Sequence, residues 1–270
     1  MRGPVAWLTI DRPEKLNAMT RAFFGELGEA LEAATADPAV RVAVIHGEGR
    51  CFSVGGDIAG FGELGGAADR RAYVQEAVAG LRAVETSPTP VVAAVHGHAL
   101  GGGCELTLVC DIVVADETAR FGMPEAAVGL VPGIGVVRGR SQLNMHWMKY
   151  MVMTGLPLDA QEARFAGLVN VVTPEGAHLA EAERLAGLIA RQSPLALATA
   201  KSFLGWDAWD RYPHAIDAVS MLQGSEDHAE GVAAFVEKRP PAFEGRWAGR
   251  SASPATTPRG ARPRASASTP

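Results

Sequence analysis

Three short apolar runs constrain the fold of this 270-residue chain more than any other feature. They are VRVAVIHG (40–47), PVVAAVHG (90–97) and DIVVA (111–115). Runs that are apolar at successive positions, rather than at every second one, are typical of parallel strands covered on both faces. Helical patterns separate them, from about Asp69 to Glu85 and again in GGGCELTLVC (101–110). The alternation of buried strands with helices predicts an α/β fold.

The two ends of this core have patterns of their own. VAWLTI (5–10) alternates like a strand and ends before Pro13, and Thr20 is a candidate N-cap for the helix that follows. Beyond Arg140 the sequence is mostly helical, with one short strand near 168–172. We expect the later helices at about 176–191, 194–204 and 213–237.

Composition divides the chain into three parts. We expect an α/β core over 1–190, a helical region over 191–240 and a disordered basic tail over 241–270. Residues 245–270 contain five arginines, no acid and few groups that could be buried, so a solvated tail is expected and a binding tail is the alternative. The net charge is −5, so the rest of the chain is more acidic still. That balance argues against a nucleic-acid partner.

The cysteines and the hydropathy narrow the class of protein further. Cys51, Cys104 and Cys110 form neither an even set nor a CxxC pair, which favours reduced thiols over a disulfide framework or a zinc site. No uninterrupted apolar run approaches the ~18 residues that span a bilayer. We therefore expect a cytoplasmic protein with neither a membrane partner nor a metal.

Glycines form two bare stretches of backbone, HALGGGCEL (98–106) and SVGGDI (53–58). A glycine lets its amide approach a ligand closely, and the first amides of a helix have no partner within the helix. Amides from Gly56 and Gly102 could therefore converge on one oxygen as an oxyanion hole. The alternative is that these glycines serve only the close packing of a helix against a strand.

Two isolated acids accompany the glycines. Glu105 lies in the first turn of an apolar helix, and Glu125 follows Pro124 in a stretch without other charges. Each could simply complement the dipole at a helix N-terminus. Alternatively, two acids buried to unequal extents acquire different pKa values and can divide acid and base chemistry between them.

Four segments, taken in order, carry a family resemblance: DRPEKLNAM, FSVGGDI, HGHALGGGCELTLVCDIVVADETARFGMPEAAVGLVPGIG and TGLPLDAQEARFAGLVNVV. Together they resemble the crotonase superfamily and, within it, the enoyl-CoA hydratases, over about residues 4–240. The resemblance implies a ββα superhelix, or spiral, with a helical C-terminal portion. It also implies that 191–240 serves trimerisation, in a homotrimer or a dimer of trimers.

The resemblance assigns roles by motif. The oxyanion hole maps onto Gly56 and Gly102, and the catalytic acids map onto Glu105 and Glu125. The residues that it places in contact with substrate or CoA are Lys15, Asn17, Ala18, Gly55, Asp57, Ile58 and Ala59.

The implied reaction adds water to a 2-enoyl-CoA thioester and gives a 3-hydroxyacyl-CoA. Glu105 would activate the water, and Glu125 would deliver the proton to C2. The only partner expected besides further copies of the chain is the acyl-CoA substrate. No cofactor is expected, because coenzyme A is part of that substrate.

Two departures from the family pattern affect specificity. Many relatives have a basic residue just after GGDI for the CoA phosphates, where this chain has Ala59 and Gly60. Lys15 or a neighbouring subunit would then have to supply the charge. The residues after Pro132 also differ, and Met145, Trp147 and Met148 either line the acyl pocket or belong to the core.

Other functions remain open at this point. An enoyl-CoA isomerase, or another crotonase-type lyase or hydrolase, would keep the fold and change the reaction. GIGVVRG (133–139) matches a dinucleotide-binding variant, but Pro132 stands where such a motif needs a strand. A non-catalytic binding protein, including an RNA-binding relative, is a third class, which the acidic charge disfavours.

Overall fold

The computed structural model describes residues 3–62, 64–204 and 212–242. The predicted basic tail lies outside these ranges except for its first two residues. Within them, the predicted α/β core and the helical C-terminal portion are both present. The helices are α1 (Arg21–Ala36), α2 (Ile58–Phe61), α3 (Ala67–Thr86), α4 (Gly102–Val109), α5 (Gly133–Gln142), α6 (Met145–Thr154), α7 (Ala160–Ala166), α8 (His178–Ile189), α9 (Pro194–Leu204), α10 (Tyr212–Leu222) and α11 (Glu226–Glu237).

The strands form two sheets. A parallel sheet has the order β1-β2-β3-β5-β8, and a smaller one has the order β4-β6-β7. Consecutive strands go to different sheets before a helix follows, as in β3-β4-α4 and β5-β6-α5, which is a repeated ββα unit. The strands are β1 (Val5–Ile10), β2 (Val42–Gly47), β3 (Val91–Val95), β4 (His98–Leu100), β5 (Ile112–Asp116), β6 (Arg120–Gly122), β7 (Leu158–Asp159) and β8 (Val171–Thr173).

Both faces of the large sheet are covered, which explains the continuous apolar runs. Val42 and Val44 pack on one face against α8, where Ala182 and Ala186 are fully buried. The alternate positions, such as Ile45, face the larger core, to which α1 and α3 contribute. The period of two along a strand sends successive side chains to opposite faces, so both sets must be apolar.

The C-terminal helices differ from the sequence prediction at one point. The prediction of a single helix over 213–237 is wrong, because α10 and α11 are two separate helices. Ser225 adopts extended backbone and its hydroxyl accepts a hydrogen bond from the His228 amide, which starts a new helix. Across the described ranges, no helix combines the length and hydropathy needed to cross a bilayer.

Candidate active site

The loop that contains Gly56 is held by a short parallel bridge to Met19. The Met19 amide donates to the Gly55 carbonyl at 2.8 Å, and the Asp57 amide donates to the Met19 carbonyl at 2.9 Å. Because successive amides of extended backbone point in opposite directions, the Gly56 amide points away from Met19. The loop thus presents the Gly56 amide on its other side.

Gly102 is the first residue of α4 and lies next to this loop. A Cβ placed on Gly102 would be 3.6 Å from the Gly56 nitrogen, and one placed on Gly55 would be 2.9 Å from the Gly102 nitrogen. Gly101 turns the chain into the helix with φ of 51°, a conformation that favours glycine. Within the described ranges, neither the Gly56 nor the Gly102 amide has a hydrogen-bond acceptor. Two adjacent amides are therefore available to one ligand oxygen.

Glu105 is buried and its carboxylate accepts two backbone hydrogen bonds. Its Oε1 lies 3.0 Å from the Ile134 nitrogen and 2.8 Å from the Gly135 nitrogen, both in the first turn of α5. Burial raises the pKa of Glu105, while the two amides act in the opposite direction. The alternative that Glu105 simply complements the helix dipole from a solvated first turn is wrong, because its side chain lies inside the protein.

The GIGVVRG segment therefore holds a carboxylate of the protein itself and is not a dinucleotide-binding motif. Gly133 begins α5 directly after Pro132, with no strand before it, so the dinucleotide interpretation is wrong. The bare first turn of this helix instead holds Glu105. The sequence signal was present in the glycines, but their partner, some 30 residues earlier in the chain, could not be identified from spacing.

Glu125 begins a short 3₁₀ turn, Glu125–Val128, after Pro124. In the described part of the chain its Oε2 is buried and has no hydrogen-bond partner. A Cβ on Gly101 would be only 3.1 Å from its Oε1, which places this carboxyl group against the loop before α4. Burial, and after it the negative charge of Glu105, raise the pKa of Glu125 to about 8.

The two amides and the two acids line one cavity of about 790 Å³. Most of its surface is apolar, and its lining includes two exposed cationic residues, Lys15 and Arg50. Arg50 was not singled out from the sequence because it belongs to no motif. The other predicted contact residues that line the cavity are Ala18, Asp57, Ile58 and Ala59.

Asn17 and Gly55 do not line the cavity, which differs from the contacts expected for them. Asn17 is fully buried, and its side-chain amide donates to the Glu48 and Cys51 carbonyls while its oxygen accepts from the Arg12 amide. Its role is to tie the N-terminal loop to the Gly56 loop. Gly55 lets its loop pass close to the backbone of β4, because a Cβ on Gly55 would be 2.7 Å from the Leu100 carbonyl oxygen.

The histidines that follow β3, the bulky residues after Pro132 and the cysteines are mostly structural. His98 lines the cavity, whereas His96 stacks on His178 with ring centroids 4.7 Å apart. Met148 is buried in the core, and neither Met145 nor Trp147 lines the cavity. The core interpretation therefore fits Met148 and also Trp147, which packs against the core, whereas Met145 is exposed and fits neither interpretation. The three cysteines are buried and unpaired.

Repeated ββα units, with two unsatisfied amides and two acids in one cavity, define an α/β protein of the crotonase type. The family model described as "Enoyl-CoA hydratase/isomerase" matches residues 1–246. The chain belongs to this family, and the predicted crotonase-like spiral with a helical C-terminal portion is confirmed.

Curated relatives and solved structures agree with this assignment. The chain is 39% identical over 247 residues to a 2,3-dehydroadipyl-CoA hydratase from Escherichia coli K12, which covers 90% of this chain and 96% of the relative. It is 36% identical to a probable enoyl-CoA hydratase from Bacillus subtilis 168, covering 89% and 95%. A crystal structure of a carnitinyl-CoA hydratase from Mycobacterium avium superimposes with a TM-score of 0.80 at 36% identity, covering 91% and 97%.

Proposed function

We propose that this protein adds water to a 2-enoyl-CoA thioester and releases a 3-hydroxyacyl-CoA. One observation carries the proposal: two acids in unequal environments, Glu105 buried and Glu125 partly buried, share a cavity with two unsatisfied amides. This set supplies a base, an acid and a site for developing negative charge. The similarity to relatives named as hydratases supports the same reaction.

The amides of Gly56 and Gly102 hold the thioester carbonyl oxygen. When water attacks C3, the electrons of the C2–C3 double bond move toward that oxygen and an enolate forms. Charge develops there only during the reaction, so the two donors stabilise the transition state more than the bound substrate. Loss of one such donor costs about 2.7–4 kcal/mol in comparable sites.

The two acids divide the proton transfers according to their surroundings. The Ile134 and Gly135 amides stabilise the charged form of Glu105, so this carboxylate takes the proton from water as the C3–O bond forms. Glu125, with a pKa of about 8, keeps its proton at neutral pH and delivers it to C2. The two transfers together add the elements of water across the double bond.

The test is the hydration of crotonyl-CoA by Glu105→Gln and Glu125→Gln variants. Each should lower kcat by about 10²–10⁴-fold, since each removes one proton transfer. Glu26→Gln, which makes the same change at an exposed position on α1, is the control and should retain normal turnover. Near-normal turnover in both active-site variants would refute the proposal.

An isomerase is the second candidate, because moving a double bond requires only that an acid such as Glu125 transfer protons along the acyl chain. The same cavity would serve both reactions. Incubation with 3-hexenoyl-CoA separates them: a hydratase leaves this substrate unchanged, whereas an isomerase converts it to 2-hexenoyl-CoA. Conversion of 3-hexenoyl-CoA faster than hydration of 2-hexenoyl-CoA would assign the isomerase function instead.

We infer that Lys15 and Arg50, the exposed cationic side chains in the lining of the cavity, bind the phosphates of CoA.

We also infer a homotrimer or a dimer of trimers. Large apolar side chains are exposed on several helices, among them Met153, Phe165 and Leu195, each 77–78% exposed. Burial of such groups favours association. A sedimentation mass equal to one chain would contradict this second inference.

A further inference from the structure

Two polar side chains interrupt the apolar wall that α3 and α10 contribute to the cavity. Val74 and Val78 of α3 and Val219 of α10 form the apolar part of this wall. Tyr73 and Gln223 line the same cavity, and both are buried, with 8% and 7% of their surface exposed. A pocket that binds only a hydrocarbon chain has no use for either polar group.

The side-chain oxygen of Gln223 lacks a hydrogen bond within the described residues. This atom, Oε1, is buried. Leaving a buried polar atom unpaired is unfavourable, and native proteins usually avoid it. Because Gln223 lines the cavity, a bound ligand is the partner that the structure offers this amide.

The hydroxyl of Tyr73, which lines the same cavity, is also without a hydrogen bond in the described part of the chain. It lies 3.4 Å from the position that a Cβ on Gly56 would take, so it is close to the oxyanion loop. The ring packs edge to face with Phe24 and Phe61, at centroid distances of 6.2 and 5.5 Å, which fixes its orientation. Burial, then the charge of Glu105, raise the pKa of Tyr73, so the hydroxyl stays protonated and can donate.

We propose that Tyr73 and Gln223 form a polar subsite for an oxygen-bearing group, a hydroxyl or a carboxyl, on the acyl chain of the substrate. The inference rests on the proposed hydratase function and adds the substrate class to it. A hydroxyl can donate to the Gln223 oxygen. A carboxyl oxygen can accept a hydrogen bond from the Tyr73 hydroxyl. With the Gln223 carboxamide rotated by 180°, it can also accept one from the Gln223 NH₂ group. An alkyl chain leaves both side chains unpaired.

Three six-carbon substrates test this subsite: 2-hexenoyl-CoA, 6-hydroxy-2-hexenoyl-CoA and 2-hexenedioyl-CoA. We expect the wild-type protein to have a higher kcat/KM for at least one oxygenated substrate than for 2-hexenoyl-CoA. Gln223→Leu and Tyr73→Phe should each lower that preference by about fivefold, the effect of one hydrogen bond. The hydroxyl and carboxyl substrates identify which group is recognised.

Gln161→Leu, the same change at an exposed position on α7, is the matched control and should keep the wild-type preference. Equal or better use of 2-hexenoyl-CoA by the wild-type protein overturns the inference, as does an equal loss for all three substrates in Gln223→Leu and Tyr73→Phe.

Crotonyl-CoA carries no distal group and reports on the chemistry alone, so failure to hydrate it would contradict the proposed function instead. In that case calorimetry with the saturated hexanoyl, 6-hydroxyhexanoyl and adipyl thioesters still tests the subsite. Tighter binding of an oxygenated thioester, lost in Gln223→Leu, would support it. Equal binding of all three would refute it.

Discussion

The two catalytic candidates are the same residue type, and their surroundings make them different. Glu105 receives two amides from the first turn of α5, whereas the buried Oε2 of Glu125 receives none within the described ranges. A hydrogen-bonded carboxylate tolerates burial better than an unpaired one. A proton on this pair is therefore held by Glu125, which is the division of roles that the proposed reaction needs.

This asymmetry predicts that part of the stability of the protein depends on pH. Between the ordinary value of 4.5 and about 8, Glu125 keeps a proton in the folded protein that the unfolded chain releases. The free energy of unfolding should therefore fall as pH rises through this window, by up to about 1.4 kcal/mol per pH unit. Glu125→Gln cannot titrate, so this component of the slope should vanish.

Urea denaturation across that pH window measures the slope directly. Glu26→Gln, on the exposed face of α1, should keep the wild-type slope. If Glu125→Gln and the wild-type protein lose stability equally as pH rises, then the proton is not held by Glu125.

Among the secondary structure elements, α5 connects the site to the core. Its first turn holds Glu105, and one turn further on Arg138 pairs with Glu85 of α3 at 2.5 Å. Both side chains are less than 10% exposed. Removing one partner of such a pair leaves an uncompensated buried charge. The ion pair therefore fixes the helix whose amides position the Glu105 carboxylate.

Arg138→Met should lower the free energy of unfolding by about 3–5 kcal/mol, because the buried Glu85 carboxylate then loses its ion pair with Arg138. The double variant Arg138→Met/Glu85→Met should recover much of this loss, since no isolated charge remains. Chemical denaturation of the three proteins provides the comparison.

Arg184→Met breaks an exposed pair with Glu181 and should change stability little. An Arg138→Met variant that unfolds at the wild-type denaturant concentration would mean that the buried pair does not stabilise the fold.

How far the sequence predicts these elements depends on the range of the interactions that form them. Apolar runs such as 90–97 predicted buried strands because both faces of a strand leave a local signature. The break before α11 was missed, since helical periodicity continues across it and only the cap at Ser225 interrupts it. The partnership of Glu105 with α5 could not be predicted, because it joins residues about 30 positions apart.

At the scale of the whole molecule, the cavity collects its walls from most of the chain. Lys15, Gly56, Glu125 and Gln223 all line it, so the C-terminal helices contribute to the site as well as the core. The motifs predicted four residues that line this cavity, both glycines and both acids. The wall near α10 carries no motif, and the environment of Gln223, which follows this helix, depends on a cavity that only the folded chain forms.

A ligand in this cavity should therefore stabilise segments far apart in sequence. We expect acetoacetyl-CoA, whose enolate places negative charge on the thioester oxygen, to slow amide hydrogen exchange in residues 54–61 and also in α10 and α11. A ligand at 100 times its Kd stabilises the folded state by about 2.7 kcal/mol, which is about a hundredfold in the exchange of amides that open only with the whole fold. Mass spectrometry of peptides from the exchanged protein measures this.

Peptides from the last turn of α7, which does not line the cavity, are the internal reference, because helix-end amides open locally and gain nothing from a distant ligand. Protection restricted to residues 54–61, with α10 and α11 unchanged, would mean that the C-terminal helices do not enclose the bound thioester. Joint protection of both regions would instead follow from a cavity wall shared between the α/β core and the last helices. Such a wall couples substrate binding to the part of the chain in which the sequence shows the fewest signs of chemistry.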